Sequence, residues 1–478
     1  MTAYDLLVVG AGITGLAAAW EASEAGASVL VLDPAQQVGG KVSTERVDGL
    51  VIERGPDAFV AYRPAALDLV DELGLGGEVV GVGPDRTVHI RSGGRLRPIP
   101  EGMGLGVPTR LGPFLRTHLL SPWDKARAAL DLLLPRRLPD EDVAVGPFLR
   151  ARLGNGVVDR LAQPLVGGVY GAGLDELSLD AVLPNLREDE RGHRSLLLAG
   201  LSQGRARRAA AGTPSDSAPG ATSPFRSLRR GLGSLPEALQ AALLERGATV
   251  RLGTAPAALE AGPSGTTVRY GALSAERVGA VVLAAGADPS AELLAGRAPH
   301  AAAALREIPH GSSTVVTLAW AADAFDEPPV SHGWLEADPA PVSGVTVSSA
   351  KWPGRAPAGV VLLRAFVPER IATLATAPDD VVATAVSDHV AAVLGAHRPP
   401  RLRRVTRWRG VMPRYAVGHL DRVARVEAGL VPQPTWRVAG AALNGVGIPD
   451  CIADGRRAAR LALGTERREM ADTRRESE

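Results

Sequence analysis

Cysteine and long hydrophobic runs are almost missing from this sequence of 478 residues, and each shortage excludes something. The single cysteine, Cys451, cannot form an internal disulfide, which is typical of a reducing compartment. No stretch of about 18 uncharged apolar residues occurs, so no transmembrane helix is expected. An apolar strand begins within a few residues of Met1, which leaves no room for a signal peptide. We therefore expect a cytoplasmic protein.

The net charge is small and lysine is rare. The formal net charge is only +1, so no global field attracts nucleic acid, and no nucleic-acid partner is predicted. Arginine supplies nearly all of the positive charge, in a form that can bind a carboxylate through two hydrogen bonds. An apolar fraction of 45% suffices for a buried core, and the length predicts two or three domains.

The chain opens with a pattern typical of a dinucleotide-binding turn. An apolar strand leads into Gly10-x-Gly12-x-x-Gly15, a helix of small residues follows, and a second apolar strand ends at Asp33. Gly10 would form the tight turn, Gly12 would let the backbone approach a pyrophosphate, and Gly15 would let the helix pack on the strand. Asp33 stands at about the spacing of a ribose-binding residue. We predict that a dinucleotide binds here, with its phosphates at the helix N-terminus.

Two further glycine-rich elements favour a flavin over a nicotinamide cofactor. Gly39-Gly40-Lys41 follows Asp33, and a glycine pair lets the main chain run close against a ligand. A buried flavin needs such enclosure, whereas nicotinamide-dependent dehydrogenases do not. Near the other end, Gly445-x-Gly447 precedes a helix whose positive dipole end would favour a reduced, anionic flavin. The alternative for this last element is a docking helix that contacts no ligand.

The order of apolar strands and helices predicts an α/β fold with three domains. A discontinuous Rossmann-type FAD-binding domain is accompanied by a helical domain at the substrate cavity and a sheet-based substrate domain. A low-complexity loop and a charged, disordered tail complete the chain. The predicted ranges are 1–85, 225–300 and 405–464 for the FAD-binding domain, 86–202 for the helical domain, 203–224 for the loop, 301–404 for the sheet-based domain and 465–478 for the tail.

Two features of the sequence leave more than one interpretation. Phe114–Leu134 is rich in leucine and alanine but carries charges, which predicts amphipathic helices over a cavity or, as the lesser alternative, a face for peripheral membrane contact. His193, His310 and His419 lack the spacing of metal ligands, so we predict structural roles for them and no metal site.

The chain resembles the FAD-dependent protoporphyrinogen and coproporphyrinogen oxidases, a branch of the flavin amine oxidase superfamily. Besides the glycine-rich elements, the resemblance lies in Glu53–Phe59, Gln163–Gly173, Gly231–Pro236, the set of Trp408, Tyr415 and His419, and Gly445–Asp454. These stretches span nearly the whole chain in family order. The Pro164–Leu179 and Gly445–Ile452 stretches are the most specific to these oxidases. Glu53–Asp57 and Gly447–Ile452 are similar to the soluble bacterial branch.

The resemblance implies a set of FAD-binding residues and two departures from the family pattern. Asp33 stands where the family usually has glutamate. Pro256 falls at a position that normally offers a backbone N–H and C=O to the adenine, and proline lacks the N–H. The implied residues are Gly10, Ala11, Gly12, Ile13, Thr14, Gly15, Asp33, Pro34, Gly40, Lys41, Gly55, Pro56, Asp57, Ala58, Pro256, Trp408, Gly447, Ile448, Pro449 and Asp450.

The implied activity is oxidation of a reduced tetrapyrrole, coproporphyrinogen III, in haem biosynthesis. Six electrons leave in three two-electron steps, with dioxygen as acceptor and peroxide as product. The cofactor performs the redox step, so no catalytic acid or base is predicted. Arg63 is the predicted substrate-binding residue, since the propionates need cations, and the alternative is an exposed arginine at a helix start with no ligand. Transient contact with a downstream haem-pathway enzyme is a further expectation.

Three other functions stay open at this point. The nearest is oxidation of protoporphyrinogen IX. The next is another reaction of the same fold, such as that of an amine oxidase or carotenoid desaturase. The third is a flavoprotein that binds a tetrapyrrole without turning it over.

Overall fold

The computed structural model describes residues 3–104, 106–136, 138–210, 223–262, 265–271 and 274–465. The β-strands are β1 Tyr4–Val9, β2 Val29–Leu32, β3 Thr44–Val47, β4 Leu50–Glu53, β5 Phe59–Val60, β6 Val79–Gly81, β7 Val88–Ser92, β8 Arg95–Pro98, β9 Met103–Gly104, β10 Val107–Pro108, β11 Phe225–Leu228, β12 Thr249–Arg251, β13 Pro256–Gly262, β14 Gly265–Tyr270, β15 Ser274–Leu283, β16 His310–Ala321, β17 Gly333–Glu336, β18 Gly344–Val347, β19 Val360–Pro368, β20 Leu402–Pro413 and β21 Trp436–Val438.

The α-helices are α1 Ile13–Glu24, α2 Ala65–Glu72, α3 Leu111–Arg116, α4 Pro122–Ala129, α5 Val145–Leu153, α6 Asn155–Val157, α7 Gly168–Tyr170, α8 Leu179–Val182, α9 Pro184–His193, α10 Leu196–Ala210, α11 Ser234–Glu245, α12 Ala287–Leu294, α13 Pro299–Arg306, α14 Ser348–Lys351, α15 Ala372–Ala375, α16 Asp379–Leu394, α17 His419–Gly429 and α18 Ile448–Leu463. A π-helix, Val158–Gly167, contains Pro164, which cannot supply a backbone N–H to a regular helix. Among the residues described, no helix combines the length and apolarity that crossing a bilayer requires.

The first compact unit comprises Met1–Gly81, Pro224–Ile308 and Asp421–Glu478. Its sheet has the order β12-β2-β1-β15-β14-β13, and β21 pairs with the central strand β15. The pairs that β1 forms with β2 and β15 are parallel. Both faces of β1 are buried, because Leu6 and Val8 lie in one apolar cluster and Leu7 and Val9 in another. A strand buried on both faces by helices needs the continuous apolar run seen in the sequence.

The first and last helices of this unit pack closely against each other. A Cβ on Gly455 of α18 would overlap the carbonyl oxygen of Thr14 and lie 3.3 Å from the nitrogen of Ala18, both in α1. Glycine at this position therefore lets the two backbones approach each other. The consequence is that α18 belongs to the same buried layer as α1, beside the first glycine turn.

The second compact unit comprises Val82–Ser223 and Pro309–Leu420. Its sheet has the order β20-β16-β19-β18-β17-β7-β8. An apolar cluster on one face of this sheet contains Val316, Leu363 and Val386, the last from α16. The alternation along β19 turns its remaining buried residues, such as Arg364, to the opposite face.

The domain ranges differ from the sequence-based ones in number and in boundaries, and residues 82–85 lie in the second unit and 301–308 in the first. Residues of the predicted helical and sheet-based domains form one compact unit, because β7 pairs in parallel with β17 and so joins the sheet of residues 310–413. Residues 405–420, which we assigned to the FAD-binding domain, lie in the second unit, because β20 pairs with β16.

The first residues of the predicted loop 203–224, up to Ala210, belong to α10. Residues 211–222 of that loop and 466–478 of the predicted tail lie outside the described residues.

Candidate functional site

Two glycines of the first turn, Gly10 and Gly15, are required by contacts within the protein. Gly10 has a φ of +109°, and a Cβ there would lie 2.7 Å from the carbonyl oxygen of Ala284. A Cβ on Gly15 would overlap the carbonyl oxygen of Gly10. Both glycines are therefore explained by the packing of the protein itself, as the strand–turn–helix geometry demands.

Gly12 has no such explanation, because a Cβ there would meet nothing within 4 Å. Gly12 is the N-cap of α1, and no side chain caps this helix end. The first N–H groups of the helix consequently have no side-chain cap, and an anion would be favoured at this helix start. Ala11, Ile13 and Thr14 beside it are buried, so they can offer a ligand mainly their backbone.

The second glycine-rich element lies directly beside this open space. The Gly39 N–H donates to the carbonyl oxygen of Ala11 over 2.8 Å. A Cβ on Gly40 would lie 3.5 Å from the Cα of Gly12. The structure therefore brings the dinucleotide-binding turn together with the first of the two elements from which we predicted a flavin rather than a nicotinamide cofactor.

Asp33 follows β2 and bonds to the main chain on both sides. One carboxylate oxygen accepts a hydrogen bond from the Ala11 N–H at 2.6 Å, and the other accepts one from the Ala35 N–H at 2.7 Å. Pro34 between them is exposed. A ribose at Asp33 would have to share the carboxylate with these two donors, and each oxygen retains a second acceptor site.

Pro256 begins the edge strand β13, where a missing N–H is tolerated. The residues just before it contact the Asp33 region directly. The Thr254 N–H donates to the carbonyl oxygen of Asp33, and the Gly253 N–H donates to that of Ala35, both over 2.8 Å. The contact of Pro256 with the adenine stays a prediction. Gly253 and Thr254, just before it in the chain, bond to the main chain of Asp33–Ala35.

Lys41 is largely buried, and this burial lowers the pKa of its ammonium group. A Cβ on Gly55 would overlap the Lys41 carbonyl oxygen, so the Gly55–Ala58 turn can lie against Lys41 only because residue 55 is glycine. Pro56, Asp57 and Ala58 are partly exposed on this turn. The Gly55–Ala58 turn therefore lies directly against the Gly39–Lys41 element.

The last predicted element begins α18. Gly447 is the N-cap, Pro449 lies in the first turn and Ile448 is buried. The N–H of Cys451 donates to the carbonyl oxygen of Gly447 over 2.9 Å. Pro449 suits the first helical turn because its missing N–H would have no partner in the helix.

Cys451 marks the point at which three predicted elements meet. Burial raises the pKa of the Cys451 thiol to about 11, while a hydrogen bond with Thr14 and the charge of Lys41 act in the opposite direction. These two groups belong to the first turn and to the second glycine-rich element. The Gly10–Gly15, Gly39–Lys41 and Gly447–Asp450 elements therefore surround one place in the first unit.

Arg63, the predicted substrate-binding residue, forms an ion pair with Asp450. Arg63 lies between β5 and α2, and Asp450 is in the first turn of α18. Sequence reasoning assigned these two residues to different ligands and gave no sign of the contact between them.

Trp408 lies on β20 of the second unit, opposite Ser313 of β16, and is partly buried. In the same unit, the ring of His419 stacks on Tyr415 with 3.9 Å between centroids, and Tyr170 lies 6.0 Å from Tyr415. His419 is 1% exposed. We predicted a structural role for this histidine, and stacking on a buried tyrosine agrees with that role.

Glu53 is a site residue whose side-chain role sequence reasoning missed. It is buried, and its carboxylate accepts hydrogen bonds from the Thr44 hydroxyl at 2.5 Å and the Leu232 N–H at 2.8 Å. These bonds tie the Gly231–Pro236 motif to the strand that leads into the Gly55 turn. The available signal was a glutamate that ends an otherwise apolar strand, Leu50–Glu53.

A family model for flavin-containing amine oxidoreductases matches residues 13–463. A coproporphyrinogen III oxidase of Propionibacterium freudenreichii is 53% identical over 95% of this chain and 90% of the relative. A protein of the same name from Bacillus subtilis is 33% identical over 96% of this chain and 97% of the relative.

Solved structures agree with this assignment. A structure from Exiguobacterium, described as a protoporphyrinogen oxidase, is 32% identical, covers 96% of this chain and 98% of its own, and has a TM-score of 0.82. A putrescine oxidase with 18% identity and a TM-score of 0.66 shares the fold alone, over 96% of this chain and 99% of its own. The chain therefore belongs to the family of flavin-containing amine oxidoreductases.

Proposed function

We propose that this protein is an FAD-dependent oxidase that converts coproporphyrinogen III to coproporphyrin III in haem biosynthesis. The observation that carries the proposal is the full-length similarity to coproporphyrinogen III oxidases, at 53% identity for the Propionibacterium protein. Bound FAD supplies the two-electron redox chemistry, with dioxygen as the proposed acceptor and peroxide as the product. The protein would work in the cytoplasm.

The open space at Gly12 supports FAD as the ligand. A side chain at residue 12 would meet no protein atom, so the cradle suits a diphosphate that approaches the backbone. The N–H groups at the uncapped start of α1 would donate to that diphosphate. The Gly39–Lys41 and Gly55–Ala58 stretches would enclose the next part of the cofactor.

The positive end of α18 would lie beside the flavin and favour its reduced, anionic form. The ammonium of Lys41 would add a positive charge at the same place. The resemblance also implies Trp408 as a cofactor-binding residue. The chain would thus contribute position, electrostatics and exclusion of water, and we assign no acid or base to it.

Arg63 would bind a propionate of the substrate. Its side chain is 51% exposed, which makes the guanidinium available to a ligand. A charge-assisted, bidentate bond to a carboxylate is the interaction that guanidinium groups form best. The partners would be a porphyrinogen, dioxygen and, transiently, an enzyme that takes up the porphyrin.

Anaerobic mixing tests the proposal. Purified protein is mixed with coproporphyrinogen III or protoporphyrinogen IX while the flavin absorbance is followed. We expect rapid bleaching with coproporphyrinogen III, peroxide release once air is admitted, and a higher kcat/KM than for protoporphyrinogen IX, which has two carboxylates fewer. No bleaching with either compound would refute the oxidase, and binding without bleaching would indicate a non-turnover tetrapyrrole-binding flavoprotein.

The second candidate, a protoporphyrinogen IX oxidase, is favoured by one similarity. A Bos taurus protein of that name is 30% identical over 96% of this chain and 98% of the relative. Equal or faster turnover of protoporphyrinogen IX in the same experiment would move the assignment to that substrate and leave the flavin oxidase in place.

A further inference from the structure

The ion pair of Arg63 and Asp450 joins an exposed group to a shielded one. The Arg63 side chain is 51% exposed, whereas that of Asp450 is 18% exposed. Arg63 stands just before α2, and Pro64 is the N-cap of that helix. The pair therefore connects a flexible side chain at one helix start with a carboxylate in the first turn of another.

Two glycines fix the position of the Asp450 carboxylate. A Cβ on Gly445 would lie 2.6 Å from the Cβ of Asp450, and one on Gly447 would lie 2.8 Å from its Oδ2. Gly445 also has a φ of +125°, which side chains rarely adopt. The carboxylate thus occupies space that side chains at both positions would fill, and it is held against the main chain.

Arg63 keeps most of its donors available. Its NH1 group donates to Oδ2 of Asp450, and within the described part of the chain this is its one hydrogen bond. A guanidinium has five N–H donors in a planar fork. An edge of that fork therefore remains for a second carboxylate, in an orientation that Asp450 sets.

We propose that Asp450 is a positioning residue for Arg63, which it orients so that the free edge of the guanidinium binds a carboxylate of the tetrapyrrole. The inference rests on the proposed function, because it needs a carboxylate-bearing substrate. A held guanidinium loses less freedom on binding than a mobile one, which is the benefit of preorganisation. The side chain of Asp450 then orients the substrate-binding arginine, and the backbone of Asp450 remains available to the cofactor.

A double-mutant cycle tests the coupling. We measure KM and kcat for coproporphyrinogen III, together with flavin content, in Arg63→Ala, Asp450→Asn and the double variant. Asp450→Asn and Arg63→Ala should each raise KM about 10-fold, which is the effect of one interaction of ordinary strength, and should change kcat little. The double variant should be no worse than Arg63→Ala. KM effects that multiply would overturn the inference.

Two further variants separate orientation from stability. Asp450→Glu keeps the charge and should keep KM closer to that of the wild type than Asp450→Asn does. Arg425→Ala removes a cation of matched exposure that pairs with Glu307 in the same unit, and it should leave KM unchanged. Loss of flavin from Asp450→Asn, with an unchanged KM in the loaded fraction, would show that the carboxylate serves the fold alone and would overturn the inference.

These experiments distinguish a wrong role for Asp450 from a wrong proposed function. If wild-type protein is not bleached by any porphyrinogen under anaerobic conditions, the function itself is wrong. If the wild type turns over while the cycle shows independent effects, the function stands and the role of Asp450 falls.

Discussion

The carboxylate of Asp33 accepts a hydrogen bond from the backbone N–H of Ala11, with 2.6 Å between Oδ2 and the nitrogen. Its second oxygen accepts a hydrogen bond from Ala35. The residue that we expected to bind a ribose therefore also ties the first glycine turn to the end of β2. These two bonds fix the position of the carboxylate.

Asparagine at position 33 should weaken this arrangement. Its amide offers one acceptor oxygen in place of two, so one of the two backbone N–H groups loses its partner. Hydrogen bonds to charged groups contribute about 1.5–3 kcal/mol, so we expect FAD to bind Asp33→Asn about 10-fold more weakly. Titration of the apoprotein with FAD, followed by flavin fluorescence, measures the change. Asp33→Glu is the control that keeps both acceptors, and equal affinity of the asparagine variant would contradict the prediction.

Valine at position 12 should abolish FAD binding without unfolding the protein. A Cβ at Gly12 meets no protein atom within 4 Å, so the new side chain would occupy only the space that we assign to the diphosphate. Gly12→Val should be colourless, with the circular dichroism spectrum of the apoprotein. Gly296→Val is a matched control, since a Cβ at that exposed residue also meets nothing, and it should stay yellow. A yellow Gly12→Val protein would overturn the placement of the cofactor.

The thiol of Cys451 should be unreactive in the folded protein. Burial raises its pKa to about 11, so at pH 8 the reactive thiolate is roughly one part in a thousand. We expect no reaction with a disulfide reagent at pH 8, and one equivalent of reaction after denaturation. Because the folded pKa is raised, the native thiol should begin to react only as the pH approaches 11. Rapid labelling of native protein at pH 8 would refute the burial.

FAD should be bound without a covalent link, in line with this unreactive thiol. Cys451 is the only cysteine of the chain, so no other thiol could form a thioether to the flavin. Acid precipitation should therefore release all of the flavin into the supernatant. Colour that remains on the pellet would contradict the prediction.

A buried ion pair in the second unit should dominate the response of stability to mutation there. Nε of Arg152 lies 2.6 Å from Oδ1 of Asp131, and both side chains are fully buried. Arg152→Met would leave the carboxylate buried without its cation, which costs about 3–5 kcal/mol of unfolding free energy. Arg191→Ala removes the cation of an exposed pair with Asp140 and should cost less than about 1 kcal/mol. Urea unfolding compares the two variants, and similar losses would contradict the prediction.

The elements with strong local signals were predictable from the sequence. The sequence predicts a hairpin over Thr87–Arg97 around the turn Ser92–Gly94, and this hairpin forms as β7 and β8. It also predicts a helix over about Asp379–Leu394, which has those bounds as α16. In both cases the pattern of apolar residues and turn residues lies within the element itself.

A local signal failed at the start of α11, where the sequence pattern of Ser234 followed three residues later by Glu237 predicts a capping box. The structure has Gly233 as the N-cap and no side-chain cap. The Ser234 hydroxyl donates to the carbonyl oxygen of Gly231 instead, and Glu237 pairs with Arg46. The contacts with Gly231 and Arg46 therefore replace the capping box. The local sequence around Ser234 and Glu237 does not indicate either contact.

The contacts that join distant parts of the chain could not be predicted in the same way. Arg63 and Asp450 are 387 positions apart, and nothing in either local pattern indicates that they meet. The membership of β20 in the second sheet likewise depends on which strand it pairs with, and the periodicity of the strand does not specify that partner. The glycine motifs at both ends predict a candidate site, whereas the ion pair beside it depends on tertiary contacts that no local pattern specifies.

The close packing of Gly455 against Thr14 has a consequence for synthesis of the protein. Helix α1 ends at Glu24, and α18 begins 424 residues later, at Ile448. At about 5–20 residues per second, a ribosome needs roughly 20–85 s to cover that distance. During this time the apolar surface of α1 lacks its last partner, so the nascent chain must shield it, through a chaperone or a provisional contact, until α18 emerges.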